Sequence, residues 1–230
     1  MVFHGFQKMT MLDFPGNVAC IVFTAGCNMR CPFCHNARLV TEISNDEVYT
    51  QDEIFAYLEK RSGILEGICI SGGEPLMHDG VYDFIKKVKE LGFLVKLDTN
   101  GCYPDKLKKL IDDGMVDYVA MDIKNSPEKY ALTTGISDFD ITPVLESIKI
   151  LLEGRTDYEF RTTIVNELHT PQDIVEMGKM IQGAEKYFLQ QFIDSGCLIS
   201  GGFAAADTEK MEHFREISAK YAKKAELRGL

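Results

Sequence analysis

The chain has 230 residues, 45% of them hydrophobic, and a net charge of −10 from 25 Lys and Arg against 35 Asp and Glu. That length suits one large or two small domains, and the apolar share suffices for a sizeable core. The acidic balance argues against nucleic acid as a partner, since phosphates need clustered Lys and Arg, and no stretch approaches the ~18 apolar residues of a membrane span.

The opening MVFHGFQKMTMLDFPG lacks the basic start, apolar run and small-residue cleavage site of a signal peptide. With free thiols, this gives the cytoplasm as the expected compartment. Six apolar runs then read as buried parallel strands, at 18–23, 67–71, 94–98, 118–122, 160–165 and 187–192. Helical patterns separate them. Thr50 and Glu53 form a capping box ahead of Ile54, Phe55 and Leu58. Val81, Phe84, Ile85, Val88 and Leu91 share one helical face, with Gly92 as the stop. Leu107, Leu110 and Ile111 repeat the pattern, ended by Gly114. Thr142-Pro143 and Thr170-Pro171 each read as an N-cap followed by proline at the first helical position. The first of these helices uses Val144, Leu145, Ile148 and Leu151 and ends near Gly154. A last helix starts near Asp207 and carries Met211, Phe214, Ile217 and Tyr221.

Strands alternating with helices imply a parallel sheet with right-handed crossovers. With no internal repeat and no Pro/Ser-rich linker, one α/β domain over 1–230 is expected. An open (β/α)6 partial TIM barrel fits, and periodicity alone also allows a doubly wound open sheet. The Gly/Ala-rich segment 195–207 reads as a lid or partner-contact loop, or as a plain connector.

The most specific signal is the loop TAGCNMRCPFCHN, which spaces Cys27, Cys31 and Cys34 as C-x3-C-x2-C. Three thiolates on one loop can cap three corners of an iron–sulfur cube. A four-cysteine cluster needs another ligand, and none lies nearby, so one iron stays open to a second molecule. Structural zinc fits worse, because Cys34 and His35 are adjacent and no second Cys/His pair follows at finger spacing. The string CPFCH also matches a c-type haem attachment site, but that reading leaves Cys27 unexplained. Seven dispersed cysteines do not resemble a disulfide framework. Cys20 and Cys69 read as core residues, and Cys102 and Cys197 are too few for a second cluster.

Polar motifs end four of the predicted strands, where parallel α/β folds gather ligands. After the second comes SGGEP, in which Gly72 and Gly73 free the backbone to approach a ligand and Glu74 offers a carboxylate to an ammonium group. The third ends in DTNG, with Asp98 and Thr99, and the fourth in MDIK, with Asp122 and Lys124 on one strand face. These charges either pair with each other or bind a charged ligand. Arg161 on the fifth strand can grip a carboxylate with two hydrogen bonds, or pair structurally. His35 and Asn36 read equally as supports near the sulfurs or as a solvent-facing turn. The other histidines (His4, His78, His169, His213) read as ordinary satisfied or surface groups.

Together, the cysteine loop with Phe33 before its last cysteine, the lead-in GFQKMTMLDFPG, and the SGGEP, DTNG and MDIK motifs resemble the radical S-adenosylmethionine (SAM) superfamily. Within it, the chain resembles the glycyl-radical-enzyme activases, in the branch of anaerobic ribonucleoside-triphosphate reductase activating proteins that is similar to pyruvate formate-lyase activating enzymes. The resemblance implies the (β/α)6 partial barrel and a [4Fe–4S] cluster on Cys27, Cys31 and Cys34. It implies SAM on the open iron, in contact with Phe33, Gly72, Gly73, Glu74, Asp98, Thr99, Asp122, Lys124 and Arg161. It further implies a monovalent cation at Asp98, Thr99 and Asp122, and a flavodoxin or ferredoxin as reductant. Its implied reaction is cleavage of SAM to a 5′-deoxyadenosyl radical, which takes a glycine Cα hydrogen from a partner enzyme under anaerobic conditions. No general base is required. The sixth strand, LQQFIDSG, lacks the histidine of the activase pattern. A small-molecule radical SAM enzyme, such as a deazaguanine-forming synthase, and a non-catalytic iron–sulfur carrier or sensor are the alternatives.

Overall fold

The computed structural model describes residues 1–44 and 48–230. A short β1 (Val2–Phe3) leads into β2 (Gly5–Thr10) and β3 (Ala19–Thr24). After the cysteine loop come α1 (Ala37–Thr41), β4 (Tyr49–Thr50), α2 (Gln51–Lys60), β5 (Gly67–Gly72), α3 (Val81–Glu90) and β6 (Leu94–Thr99). The chain continues through α4 (Pro104–Asp112), β7 (Tyr118–Asp122), α5 (Tyr130–Thr134), α6 (Thr142–Leu152) and β8 (Asp157–Ile164). It ends with α7 (Pro171–Met180), β9 (Ala184–Gln191), α8 (Thr208–Ser218) and β10 (Ala222–Arg228).

One eight-stranded sheet runs β10-β9-β8-β7-β6-β5-β3-β2. From β3 to β10 it is parallel, and β2 pairs antiparallel with β3 at one edge. All six predicted strands are present and adjacent in chain order, so the (β/α)6 partial barrel stands and the doubly wound alternative, which reverses strand order midway, does not.

Strand periodicity sorts the side chains onto two faces. Ile68, Ile70, Val95, Leu97, Val119 and Met121 point outward into one apolar cluster with Phe84, Val88, Leu107 and Leu110 of the covering helices. The intervening positions point inward, and many of them are charged: Lys96, Asp98, Asp122, Glu159 and Arg161 bond to one another or to neighbours inside the barrel. The interior is therefore built of ion pairs, and the apolar core lies between sheet and helices.

The helix signals act as predicted, with one shift. Thr50–Glu53 and Thr170–Asp173 form complete capping boxes, and Asp207 caps α8. Thr142 sits inside α6 instead of capping it, and Asp140 accepts from the Thr142 N–H at 2.9 Å. Within the eight-stranded sheet, two strands lie beyond the predicted six. The lead-in forms β2, and the last helix stops at Ser218, so that Tyr221 precedes β10. An edge strand can be polar, because one side faces solvent. In β10, Lys223 pairs with Glu185, and Arg228 holds the buried Glu159 at 2.7 Å while lying 3.4 Å from the Phe188 ring centre. Among the described residues, no helix is long and apolar enough to cross a membrane.

Asp173 does more than cap α7. It accepts from Ser126 Oγ at 2.8 Å and Lys129 Nζ at 2.6 Å, which ties α7 to the chain after β7. Burial alone would raise its carboxyl, but Lys129, Thr170 and Ser126 outweigh burial and hold it at about 2. A depressed carboxyl contributes stability above its unfolded pKa, about 4, and loses it as pH falls through the native value. Asp173→Asn should therefore lower stability at pH 7 by ~1–3 kcal/mol. The gap to the wild type should narrow from pH 5 to pH 2 in urea-unfolding midpoints, and a constant gap would refute this account.

Candidate cofactor site at the carboxyl ends of the strands

A cavity of about 210 Å³ opens at the carboxyl ends of the parallel strands. Every predicted site residue lines it except Glu74: the three cysteines, Phe33, Gly72, Gly73, Asp98, Thr99, Asp122, Lys124 and Arg161.

The cysteine loop leaves β3 and is pinned by its backbone. Gly26 N–H donates to Leu39 O at 2.7 Å, and Arg30 N–H to Thr134 O at 2.8 Å. The Arg30 guanidinium folds back onto the carbonyls of Cys27 and Met29 at 2.6 and 2.8 Å. Asn36 is a clamp, its side-chain amide donating to Gly72 O at 2.8 Å. His35 stacks on Phe192 at 5.6 Å between ring centres, and burial lowers its pKa. Burial pushes the Cys31 thiol up to about 12 and raises that of Cys27. Two donors reach the Cys27 sulfur, Met29 N–H at 3.4 Å and Asn100 Nδ2 at 3.7 Å. Three sulfurs on one cavity, with amide donors aimed at one of them, fit an iron–sulfur cluster, whose sulfurs are tuned by such donors. Among the described residues, no three Cys, His, Asp or Glu side chains converge as they would around one metal ion.

The SGGEP turn also packs against the cysteine loop. A Cβ on Gly73 would stand 1.8 Å from Gly26 O, and one on Gly72, whose φ is +118°, 2.3 Å from Thr24 O. These glycines let the turn close against the cysteine loop. Glu74 is fully buried behind the cavity wall. Its Oε1 accepts from Leu76 N–H at 3.0 Å and Thr99 Oγ1 at 2.9 Å, and its Oε2 from Asn100 N–H at 2.7 Å. Burial pushes this carboxyl up to about 7 against the pull of those donors.

Five charged side chains form a ladder across the inner face. Lys96 Nζ pairs with Asp98 Oδ1, and Ser71 Oγ donates to Asp98 Oδ2 at 2.9 Å. Arg161 lies 3.6 Å from Asp98 and 3.0 Å from Asp122, which takes Lys124 Nζ on its other oxygen at 2.9 Å. Burial opposes every charge here. Arg161 nonetheless holds both carboxyls below their ordinary range, with Lys96 acting on Asp98 and Lys124 on Asp122. On the cavity wall itself Arg161 and Lys124 balance Asp98 and Asp122, with the buried Lys96 behind Asp98, and the two lining cations can offer donors to a ligand carboxylate.

Several contributors escape the sequence reading. Lys96 stands two residues before Asp98 on the same strand face, so the spacing argument used for Asp122 and Lys124 finds it too. Asn100 joins Glu74 to Cys27. His169 braces Lys124: Val165 N–H donates to its Nδ1 at 3.0 Å, so Nε2 donates to Lys124 O at 3.0 Å. Segment 195–207 packs on the cysteine loop, with Ser200 N–H donating to Pro32 O at 2.9 Å and Phe203 edge-on to Phe33 at 6.3 Å.

The radical SAM superfamily model matches residues 21–181. A candidate glycyl-radical enzyme activating enzyme of Methanocaldococcus jannaschii is 33% identical, over 82% of this chain and 78% of its own. A pyruvate formate-lyase-activating enzyme of Listeria monocytogenes is 29% identical, over 78% and 75%. Among solved structures, a radical SAM methyltransferase of Sphaerobacter thermophilus shares the fold with a TM-score of 0.72 at 15% identity, over 96% of this chain and 69% of that one. A domain of the Bacteroides vulgatus pyruvate-formate lyase-activating enzyme has a TM-score of 0.58 at 18% identity, over 71% and 99%.

Glu74→Gln tests the bracing geometry. The amide keeps one acceptor oxygen and turns an NH2 toward Asn100 N–H or toward Leu76 N–H and Thr99. A buried donor left facing a donor should lower unfolding stability by ~1–3 kcal/mol. Urea unfolding at pH 7 measures it, and an unchanged midpoint would remove Glu74 as a structural brace.

Proposed function

The chain belongs to the radical SAM superfamily, and from that premise we propose that it activates a glycyl radical enzyme, with an anaerobic ribonucleotide reductase as the partner. The geometry that supports this reading is a single cavity onto which the three cysteines and Asp98, Asp122, Lys124 and Arg161 of the ladder all face. Cys27, Cys31 and Cys34 hold the [4Fe–4S] cluster. The Gly72–Gly73 backbone, Thr99 and the ladder face SAM, and Phe33 closes the side of the pocket covered by segment 195–207. When bound, cluster and SAM would supply one-electron cleavage of the sulfonium C–S bond and the radical chemistry for hydrogen abstraction at a glycine Cα.

The chain's own residues bind, orient and exclude water. Arg161 and Lys124 offer donors to the SAM carboxylate. Glu74 acts from behind, holding Thr99 and Asn100 in place. The Asn100 amide and Met29 N–H donate toward Cys27, which favours the thiolate over the thiol. Reducing equivalents come from a flavodoxin or ferredoxin. A free monovalent cation is left out of this reading, because both ladder carboxylates already have cationic partners. Activating-enzyme relatives that match across most of this chain favour a protein substrate over a small molecule.

Anaerobic reconstitution, dithionite and SAM should yield 5′-deoxyadenosine, and Cys31→Ala should reduce it to the level of the cluster-free protein. Adding an anaerobic ribonucleotide reductase should give a glycyl radical signal by electron paramagnetic resonance. If an intact [4Fe–4S] cluster gives no 5′-deoxyadenosine with or without the partner, the carrier or sensor reading replaces this one.

A further inference from the structure

Each residue that the family resemblance implies as a ligand of the monovalent cation already has partners on the chain here. Asp98 Oδ1 is taken by Lys96, and Asp98 Oδ2 accepts from Ser71 and faces Arg161. Asp122 Oδ1 accepts from Arg161 and Oδ2 from Lys124. The third expected ligand, Thr99 Oγ1, donates to Glu74 and accepts from Gly101 N–H at 3.2 Å. A free ion would add a fourth positive charge beside two carboxylates, and a charge without its own counter-ion in a partly buried site is costly.

Lys96 makes the difference. Its side chain is 2% exposed and rises from β6 on the inner face, two residues before Asp98. The ammonium has two neighbours, Asp98 and the Cys69 sulfur at 3.6 Å. Burial keeps Cys69 a neutral thiol, its pKa pushed up to about 12, so among the described residues Asp98 is the one anion that Lys96 serves. Burial works against the ammonium, and Asp98 more than offsets it.

We propose that the Lys96 ammonium is a built-in substitute for the monovalent cation, so that this pocket binds its cofactor independently of potassium and sodium. A tethered charge cannot dissociate and carries no ion-binding equilibrium. The inference deepens the functional reading, since the pocket is the same, and depends on it only for the ligand's identity.

The test uses the cluster-reconstituted protein. SAM affinity is measured by calorimetry in potassium, sodium and choline chloride at equal ionic strength, and thallium-205 resonance reports monovalent-cation binding with no SAM present. The wild type should show no specific thallium site. Its SAM affinity should vary by less than about fivefold between salts, the low end of coupling between two bound ligands. Lys96→Met, similar in length and uncharged, should bind SAM about tenfold more weakly in choline than in potassium, and should gain a thallium site, because it leaves Asp98 short of a partner. A wild-type thallium site, a larger wild-type salt effect, or indifference of a folded Lys96→Met to potassium would each overturn the proposal. If that variant does not fold, the wild-type measurements decide alone. If SAM binds in no salt, the radical SAM reading fails separately, and the thallium result still settles the cation question.

Discussion

Arg161 is the interaction on which the rest of the site depends. It stands on β8 and bonds to Asp122 on β7 and, more loosely, to Asp98 on β6. Three adjacent strands are thus tied together at their carboxyl ends by one side chain. Strand periodicity makes this unavoidable: once alternate residues of β6, β7 and β8 pack outward under the helices, their charged neighbours must face inward. A buried charge is tolerated only when paired, and removing one partner of a buried pair costs ~3–5 kcal/mol. The ladder therefore enforces its own completeness. Loss of Arg161 would leave two carboxylates under-compensated and disturb Lys96 and Lys124 at both ends.

The wall beside the ladder is held by the motifs acting on each other. Gly73 lies so close to Gly26 that no side chain fits between them, and Asn36 reaches from the cysteine loop to Gly72. Glu74 fixes Thr99 and Asn100, and Asn100 reaches back to Asn28 at 2.8 Å and to the Cys27 sulfur. Cysteine loop, SGGEP turn and DTNG turn thus form a closed ring of contacts. The links run through the side chains of Asn36, Glu74 and Asn100, so a substitution at any of these three loosens the contacts around the Cys27 sulfur.

Much of this was legible before the structure. The six parallel strands announced themselves because burial on both faces leaves apolar runs, and two of the three Thr-initiated helices begin at the predicted caps. β10 stayed hidden because KKAELR carries its charges on an exposed edge, where no apolar run is needed. β2 stayed hidden for the same reason. At the site, the residues singled out in the sequence line one cavity, Glu74 excepted, and two of the motifs do structural work that the sequence did not show. The glycines of SGGEP accommodate the chain itself, and the Glu74 carboxylate points into a cage of backbone and hydroxyl donors behind the cavity. Sequence shows which groups are present, but which atom faces whom depends on the close approach of β3, β5 and β6.

A site wired this way is assembled before any ligand arrives. The charges in the ladder are already desolvated and aimed, so a bound carboxylate meets fixed donors and little reorganisation is left for the binding step. Each cation that stays on the chain also removes one component that would otherwise have to bind. The same fixity limits the pocket, since Arg161 and Lys124 on the wall, with Lys96 behind Asp98, favour a ligand that presents a carboxylate to Arg161 or Lys124. They disfavour one that brings only positive charge there. Selectivity at this face of the barrel therefore follows from the charge count on β6, β7 and β8, before any shape complementarity is considered.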